Sequence, residues 1–330
     1  MPRFRRLFFF GMILALLGAG NLALGATPAA TPAPTPAAPR VVATIPPLHS
    51  LVAGVMQGIA VPDLLIAGGA SPHNYSLRPS DARKLEQADL VVWIGPGMEV
   101  FLTEALPAIA AKAEILTVAE IPDVTLLPLR AGGLWSPHQD HDHDHAHDHE
   151  QVAGRPSDAD MHLWLDPANA RAIVAAVAQR LSEIDPARRD LYGANAQRLD
   201  GDLVTLDREL AARLAAVRTH PFVVFHDAFQ YFERAYGLKG VGSVTLHPER
   251  PPGARRIAEI RDLLHARGAD CVLREPQFKP DLIDTLIAGS EVNSGVLDPL
   301  GAEVTPGAEA YGTLMRGLAE TLAACLEGSS

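Results

Sequence analysis

The chain holds 330 residues, 48% of them hydrophobic and 20% charged, with a formal net charge of −11. Those fractions fit a globular protein long enough for two domains and exclude collagen, coiled coil and wholesale disorder. The acidic balance argues against nucleic acid or an anionic membrane as partner and suits a protein that attracts cations.

Residues 1–25 read as a secretory signal peptide. Arg3, Arg5 and Arg6 precede an apolar run from Leu7 to Leu17, and Ala23-Leu24-Gly25 supplies small residues for cleavage. The run falls short of the ~20 residues that span a bilayer, and no Cys stands near the cleavage point for a lipid anchor. The mature protein is therefore expected to be exported and periplasmic. Losing the three arginines takes the formal charge from −11 to −14. Residues 26–39, rich in Pro, Ala and Thr, have nothing to build a core and read as a tether.

From residue 40 short apolar runs alternate with helical patterns. Strands are expected at Val41–Ile45, stopped by Pro46-Pro47, at Leu64–Ile66 and at Leu90–Ile94, with a helix at Pro79–Gln87 capped by Ser80. Leu199, Leu203, Leu206, Leu210, Leu214 and Val217 recur at intervals of three and four, which places one apolar stripe on a helix. Asp185-Pro186 gives that helix a start; unbroken over 186–218 it would span about 50 Å. Gly193 and Gly201 are its weak points. Beyond it, strands are expected at Phe222–Phe225, Cys271–Leu273 and Val296-Leu297. Helices are expected at Ala254–His265, Asp281–Ala288 and Tyr311–Leu326. Strand, loop, helix and strand in repetition predict an α/β fold with parallel-type sheets flanked by helices.

One stretch is low in complexity. From His138 to Glu150 the chain carries His138, His141, His143, His145, His147 and His149 among five carboxylates, inside a loop of about 131–158 expected to be disordered. Imidazole and carboxylate together suit divalent metals, here as an auxiliary, low-affinity store rather than a tight site.

A preorganised site needs histidines in ordered surroundings. His73 follows the second strand, His162 sits in the apolar string MHLWLDP, His226 ends a strand, and Asp298 follows another. In open α/β sheets ligands gather at the carboxyl ends of strands. Three imidazoles and a carboxylate suit four-coordinate Zn²⁺, whereas Mn²⁺ would call for more oxygen. His49 can approach the same region; His220 and His265 read as structural or exposed. The two cysteines, Cys271 and Cys325, read as one disulfide in an oxidising compartment or as two buried thiols.

The strings PHNYSLRPSD (72–81), ADLVVWIGPGME (88–99), MHLWLDP (161–167), FHDAFQYFE (225–233), REPQF (274–278) and LDPLG (297–301) together carry a resemblance. The chain resembles the periplasmic zinc-binding receptors of high-affinity zinc ABC uptake systems, the ZnuA-like group of metal-receptor solute-binding proteins, over nearly all of its mature length. The resemblance implies two α/β lobes, 40–185 and 219–330, joined by a long rigid helix over 186–218, with the metal in the cleft between them. It places the zinc ligands on His73, His162 and His226, with Asp298 or water as the fourth, and pairs Cys271 with Cys325. It implies a monomer without catalytic activity that hands transported Zn²⁺ to a membrane permease. Two positions depart from the pattern. Pro72 stands where some relatives have Glu. Ser243 stands where some have a histidine for a second site, with His247 four residues on. A manganese or iron receptor of the same fold, or an adhesin, is the nearest alternative. A zinc hydrolase is the more distant one, since the chain has no HExxH helix and no evident base beyond Asp227 or Glu275.

Overall fold

The computed structural model describes residues 36–130, 135, 159–245, 253–276 and 281–328. The signal peptide, nearly all of the tether, the histidine tract and His247 lie outside the described residues.

In chain order the strands are β1 (Val41–Ala43), β2 (Asp63–Leu64), β3 (Leu90–Trp93), β4 (Glu114–Thr117), β5 (Leu127–Pro128), β6 (Ala159–Asp160), β7 (Pro221–His226), β8 (Lys239–Thr245), β9 (Cys271–Arg274) and β10 (Asn293–Val296). The helices are α1 (Pro46–Val55), α2 (Pro79–Glu86), α3 (Val100–Thr103), α4 (Leu106–Ile109), α5 (Pro167–Ile184), α6 (Arg189–Leu214), α7 (Gln230–Tyr236), α8 (Ala254–Arg267), α9 (Asp281–Ile287) and α10 (Ala310–Glu327). The first sheet has the order β2-β1-β3-β4 and the second β10-β9-β7-β8, both parallel throughout. β5 and β6 form a separate two-stranded antiparallel ribbon. This is the parallel α/β architecture expected from the alternation of apolar runs and helical patterns.

The long helix follows its leucine stripe. Leu199, Leu203, Leu206, Leu210 and Leu214 are all buried along α6, and 3-10 turns at Pro186–Arg188 and Ala215–Val217 extend it at either end. Gly193 and Gly201 stay helical. Burying one such leucine stabilises the fold by roughly 1.5–3 kcal/mol. Helix α1 lies so close that a Cβ on Gly54 would stand 2.7 Å from Leu199 Cδ2, which makes glycine the residue that permits this approach. One apolar core runs from β1, β3 and α1 through α5 and α6 to α10 and the inner residues of β7 and β9. A smaller cluster fills the space between β7, β8, β9, α8 and α9. The C-terminal helix is thus part of both halves: the backbone N–H of Tyr311 donates to Ser50 Oγ of α1 at 2.8 Å.

Two local expectations change. Pro46 does not merely stop β1; it opens α1, because proline needs no N–H donor in a first helical turn. Ser80 is not the cap of α2. Pro79 takes the first helical position, so Arg78 becomes the N-cap and its N–H donates back to Asp81 Oδ2 at 3.0 Å. Among the described residues no helix is long and apolar enough to cross a membrane.

Candidate metal centre

His162 is held in a turn fixed from several sides. It precedes a 3-10 turn at Leu163–Leu165, after which Asp166 caps α5 by accepting from Ala168 N at 2.8 Å. Asn169 donates from Nδ2 to Leu163 O at 3.0 Å and to Thr125 O at 3.1 Å. Trp164 Nε1 donates to Pro299 O, and Tyr311 Oη donates to Trp164 O, both at 2.8 Å. The string MHLWLDP therefore encodes a candidate ligand, a turn and a helix cap in succession.

His226 is the last residue of β7, paired across the sheet with Thr245. His73 lies in the loop between β2 and α2. That loop is fastened to α2 by the Tyr75 hydroxyl, which donates to Asp81 Oδ2 at 2.9 Å, and its Tyr75 ring packs on Phe101.

These three imidazoles converge. His162 Nε2 lies 3.1 Å from His226 Nε2 and 3.4 Å from His73 Nε2. All three candidate ligand atoms lie within 4.8 Å of one another, and among the described residues this is the group suited to hold a metal ion. Two nitrogens bound to one tetrahedral zinc at 2.0–2.1 Å stand about 3.3–3.4 Å apart, so the spacing fits a shared ion with little movement. His162 and His226 are buried at 7% and 5% exposure, while His73 is half-buried.

Two carboxylates orient the rings. Asp160 Oδ1 accepts from His162 Nδ1 at 2.8 Å and from its backbone N at 3.0 Å. Glu275 Oε1 accepts from His226 Nδ1 at 2.5 Å. With Nδ1–H committed to a carboxylate, Nε2 presents its lone pair inward, the usual arrangement behind a metal-bound histidine. Burial and the neighbouring His226 push the His162 pKa well down, so this ring stays neutral. Burial works against a charge on His226 too, but Glu275, with Asp160 and Asp227, outweighs it and its pKa ends above the ordinary value. Burial lifts Asp160 to about 7, against the pull of the His162 N–H and the Arg130 charge. Two carboxylates stand behind the rings, where a bound divalent cation would favour their charged forms.

Asp298 stands outside this group. Its Oδ1 accepts from Leu300 N at 3.0 Å and its Oδ2 from Ala302 N at 2.5 Å, so the carboxylate caps the turn it begins. His49 is also outside; it is buried in α1 and bonds through Nε2 to Pro62 O at 3.0 Å. His220 pairs at the surface with Asp270, Nδ1 to Oδ2 at 2.9 Å. Cys271 and Cys325 form a disulfide between β9 and α10. Sequence reading did not assign the orienting roles of Asp160 and Glu275; a carboxylate two residues before a candidate ligand, as in Asp160-Met161-His162, is the available signal. It also missed Arg130, which reaches Asp227 and Glu233.

The family model described as ZnuA, zinc-uptake complex component A periplasmic, matches residues 41–325. A relative called high-affinity zinc uptake system protein ZnuA, from Brucella abortus (strain 2308), is 43% identical over 305 residues, covering 87% of this chain and 91% of its own. The protein of the same name from Yersinia pestis is 36% identical over 294 residues, covering 87% and 91%. A crystal structure of ZnuA matches with a TM-score of 0.71 at 24% identity, covering 87% of this chain and 99% of that one. FpvC from Pseudomonas aeruginosa in complex with Mn²⁺ matches at 0.72 and 21%, covering 89% and 100%, a likeness of fold alone. The parallel sheets, the long helix, the histidine centre and the match over residues 41–325 together show that this chain belongs to the ZnuA family of periplasmic zinc-uptake components.

Proposed function

We propose that this chain is the periplasmic receptor of a zinc import system, which captures Zn²⁺ on His73, His162 and His226 and hands it to a membrane permease of the ABC type. The observation that carries the reading is the convergence of three Nε2 atoms at spacings of 3.1 and 3.4 Å, two of them on rings braced by buried carboxylates. Zinc is cargo here, and no bond is made or broken in it. Three imidazoles leave one corner of a tetrahedron. Asp298 or water fills that corner; each Asp298 oxygen keeps a lone pair beyond the one it gives to Leu300 N or Ala302 N. The signal peptide sends the chain to the periplasm, and the monomer works as two lobes, 40–185 and 219–330, joined through 186–218. Because α10 seats on α1 and α6, opening between them is small. The histidine tract collects further ions at low affinity.

Zinc affinity, measured by competition with a chromophoric chelator, tests this directly. One tight ion per chain is expected. His162→Ala, His226→Ala and His73→Ala should each weaken it by more than the roughly 10–100-fold typical of removing an orienting partner. Deleting 138–150 should lower the total number of ions bound and leave the tight one in place. Loss of the tight ion on that deletion would sink the division of roles. Displacement of zinc by equimolar Mn²⁺ would transfer the cargo to manganese.

A further inference from the structure

Arg130 lies two residues beyond β5 and is enclosed by acidic partners. Its Nε donates to Asp227 Oδ1 at 2.9 Å and Oδ2 at 3.0 Å. Its Nη1 donates to Glu233 Oε2 at 2.6 Å, and its Nη2 donates to Glu233 Oε1 at 3.1 Å and also to Asp227 Oδ1. The Trp135 ring covers the guanidinium, 3.5 Å from its central carbon. Every donor of the planar fork that faces these two carboxylates is used, a geometry that lysine cannot reproduce.

What this cluster joins is specific. Asp227 directly follows His226. On the other side, β5 pairs with β6 in the register Leu127 to Asp160 and Pro128 to Ala159, and Asp160 orients His162. The Tyr231 hydroxyl closes the same corner, donating to Asp160 O at 2.7 Å and accepting from Leu127 N at 2.9 Å. From Arg130, the segments bearing His162 and His226 are thus each reached in one or two steps. The opposite sheet makes room for it. Gly240 on β8 faces Glu233, and a Cβ there would stand 2.4 Å from Glu233 Oε2. A cation beside a cation site opposes binding unless its charge is covered; with Asp227 and Glu233 the cluster carries a net negative charge. A buried ion cluster is often matched in stability by apolar residues of the same volume, so stability and binding are measured apart.

We propose that Arg130 is a positioning residue for metal capture, clasping the segment that carries His162 to the segment that carries His226 so that their Nε2 atoms keep the spacing a shared ion requires. It touches no ion itself. The inference rests on the three-histidine reading above.

Arg130→Met alone would strand two buried carboxylates and endanger folding, so the main variant is Arg130→Met with Asp227→Asn and Glu233→Gln, which leaves no unpaired charge. Gly240→Ala reaches the same cluster from the far side by displacing Glu233, and Arg130→Lys keeps the charge without the fork. Each full-length protein is titrated with Zn²⁺ against a chelator, its zinc release is timed by stopped flow, and its visible absorption with Co²⁺ is recorded. Melting of the metal-free form is followed separately. The triple variant and Gly240→Ala are expected to bind zinc roughly 10–100-fold more weakly, release it faster and shift the Co²⁺ bands, with Arg130→Lys between them and wild type. Folded variants with a lower melting temperature but wild-type zinc affinity and Co²⁺ spectrum would overturn the clasp. Should the triple variant not fold, Gly240→Ala decides by the same readings. If wild type itself held no tight ion, the three-histidine reading would fall first and take the clasp with it.

Discussion

The two sheets have one strand order. The first runs β2-β1-β3-β4 and the second, taken from its other edge, β8-β7-β9-β10, so that in each the first strand lies between the second and the third. Both bury their central strands: β1 and β3 of the first are buried at every position, and β7 and β9 of the second over most of their length. The second carries an addition at one edge. In the second, β8 begins Lys-Gly-Val-Gly and β10 is half-exposed, with Gly295 at its centre. Helix α10 lies directly on that glycine, where a Cβ would meet Leu273 at 3.2 Å and Thr321 at 3.3 Å. Close approach leaves few side chains to bury, and there the chain adds a covalent link, Cys271 on β9 to Cys325 on α10, beside the bond from Asn293 Nδ2 to Cys325 O at 3.0 Å. One topology is therefore packed in both halves, and the second adds a crosslink at its β10 edge.

The sharpest way to break that contrast is to remove the link. The disulfide spans a sequence separation of 54 residues. A loop of that length is worth roughly 4 kcal/mol in the chain-entropy model. Replacing both cysteines with alanine should lower the denaturation midpoint accordingly. Amide exchange should speed most in β9 and β10, while β1 and β3 keep their protection. Equal acceleration in all four strands would mean that the two halves open as one unit and that the crosslink does not serve the second sheet in particular.

The site draws on the two halves unequally, and the second comparison lies there. His226 is braced by Glu275 from the segment after β9, and His162 by Asp160 from the ribbon strand β6. Glu275→Gln and Asp160→Asn both keep an acceptor for the ring N–H and lose only the charge. Each should weaken zinc by about tenfold, the low end for an orienting partner. Asp160→Asn is expected to do slightly more damage, because Asp160 Oδ1 also takes the backbone N–H of His162. A Glu275→Gln protein with unchanged zinc affinity would show that the second half supplies a ligand but not its support.

Much of this was legible in the residues. The apolar runs at β1, β3, β7 and β9 and the leucine stripe of α6 are local signals, readable because burial imposes a period. The three histidines were legible as a set because each sits beside a strand end or an apolar turn. Asp298 has the same signature, and its carboxylate also serves the backbone of its own turn, a use that a short acidic residue before a proline has open to it. Helix α1 was hidden by Pro46, which reads as a stop and acts as a start. Arg130 was beyond reach. It lies in no periodic segment, and its partners are 97 and 103 residues away, a pairing that only the folded chain brings together.

The last expected effect is set by protons. Zinc needs an unprotonated nitrogen at each histidine corner, and binding releases whatever proton stands there. His162 is kept neutral by burial and by the charge of His226, so it contributes little to pH dependence near neutrality. His226 is the opposite case, its pKa raised by Glu275 despite burial. The ordinary imidazole value is about 6.5. Above its raised pKa His226 is already neutral and affinity should be flat. As pH falls through that pKa, one proton must leave for each zinc bound, and affinity should drop by about tenfold per pH unit. The fall should begin above pH ~6.5, earlier than for an unperturbed histidine. In Glu275→Gln the largest of the charges that raise the pKa is gone, with Asp160 and Asp227 left, so the onset should move to lower pH while the affinity plateau also drops. Titrations of both proteins from pH 8 to 5 in ~0.5-unit steps separate the two effects. An onset that stays in place after Glu275→Gln would mean that His226 does not hold the proton zinc displaces, and that the electrostatic link between β7 and the segment after β9 plays no part in capture.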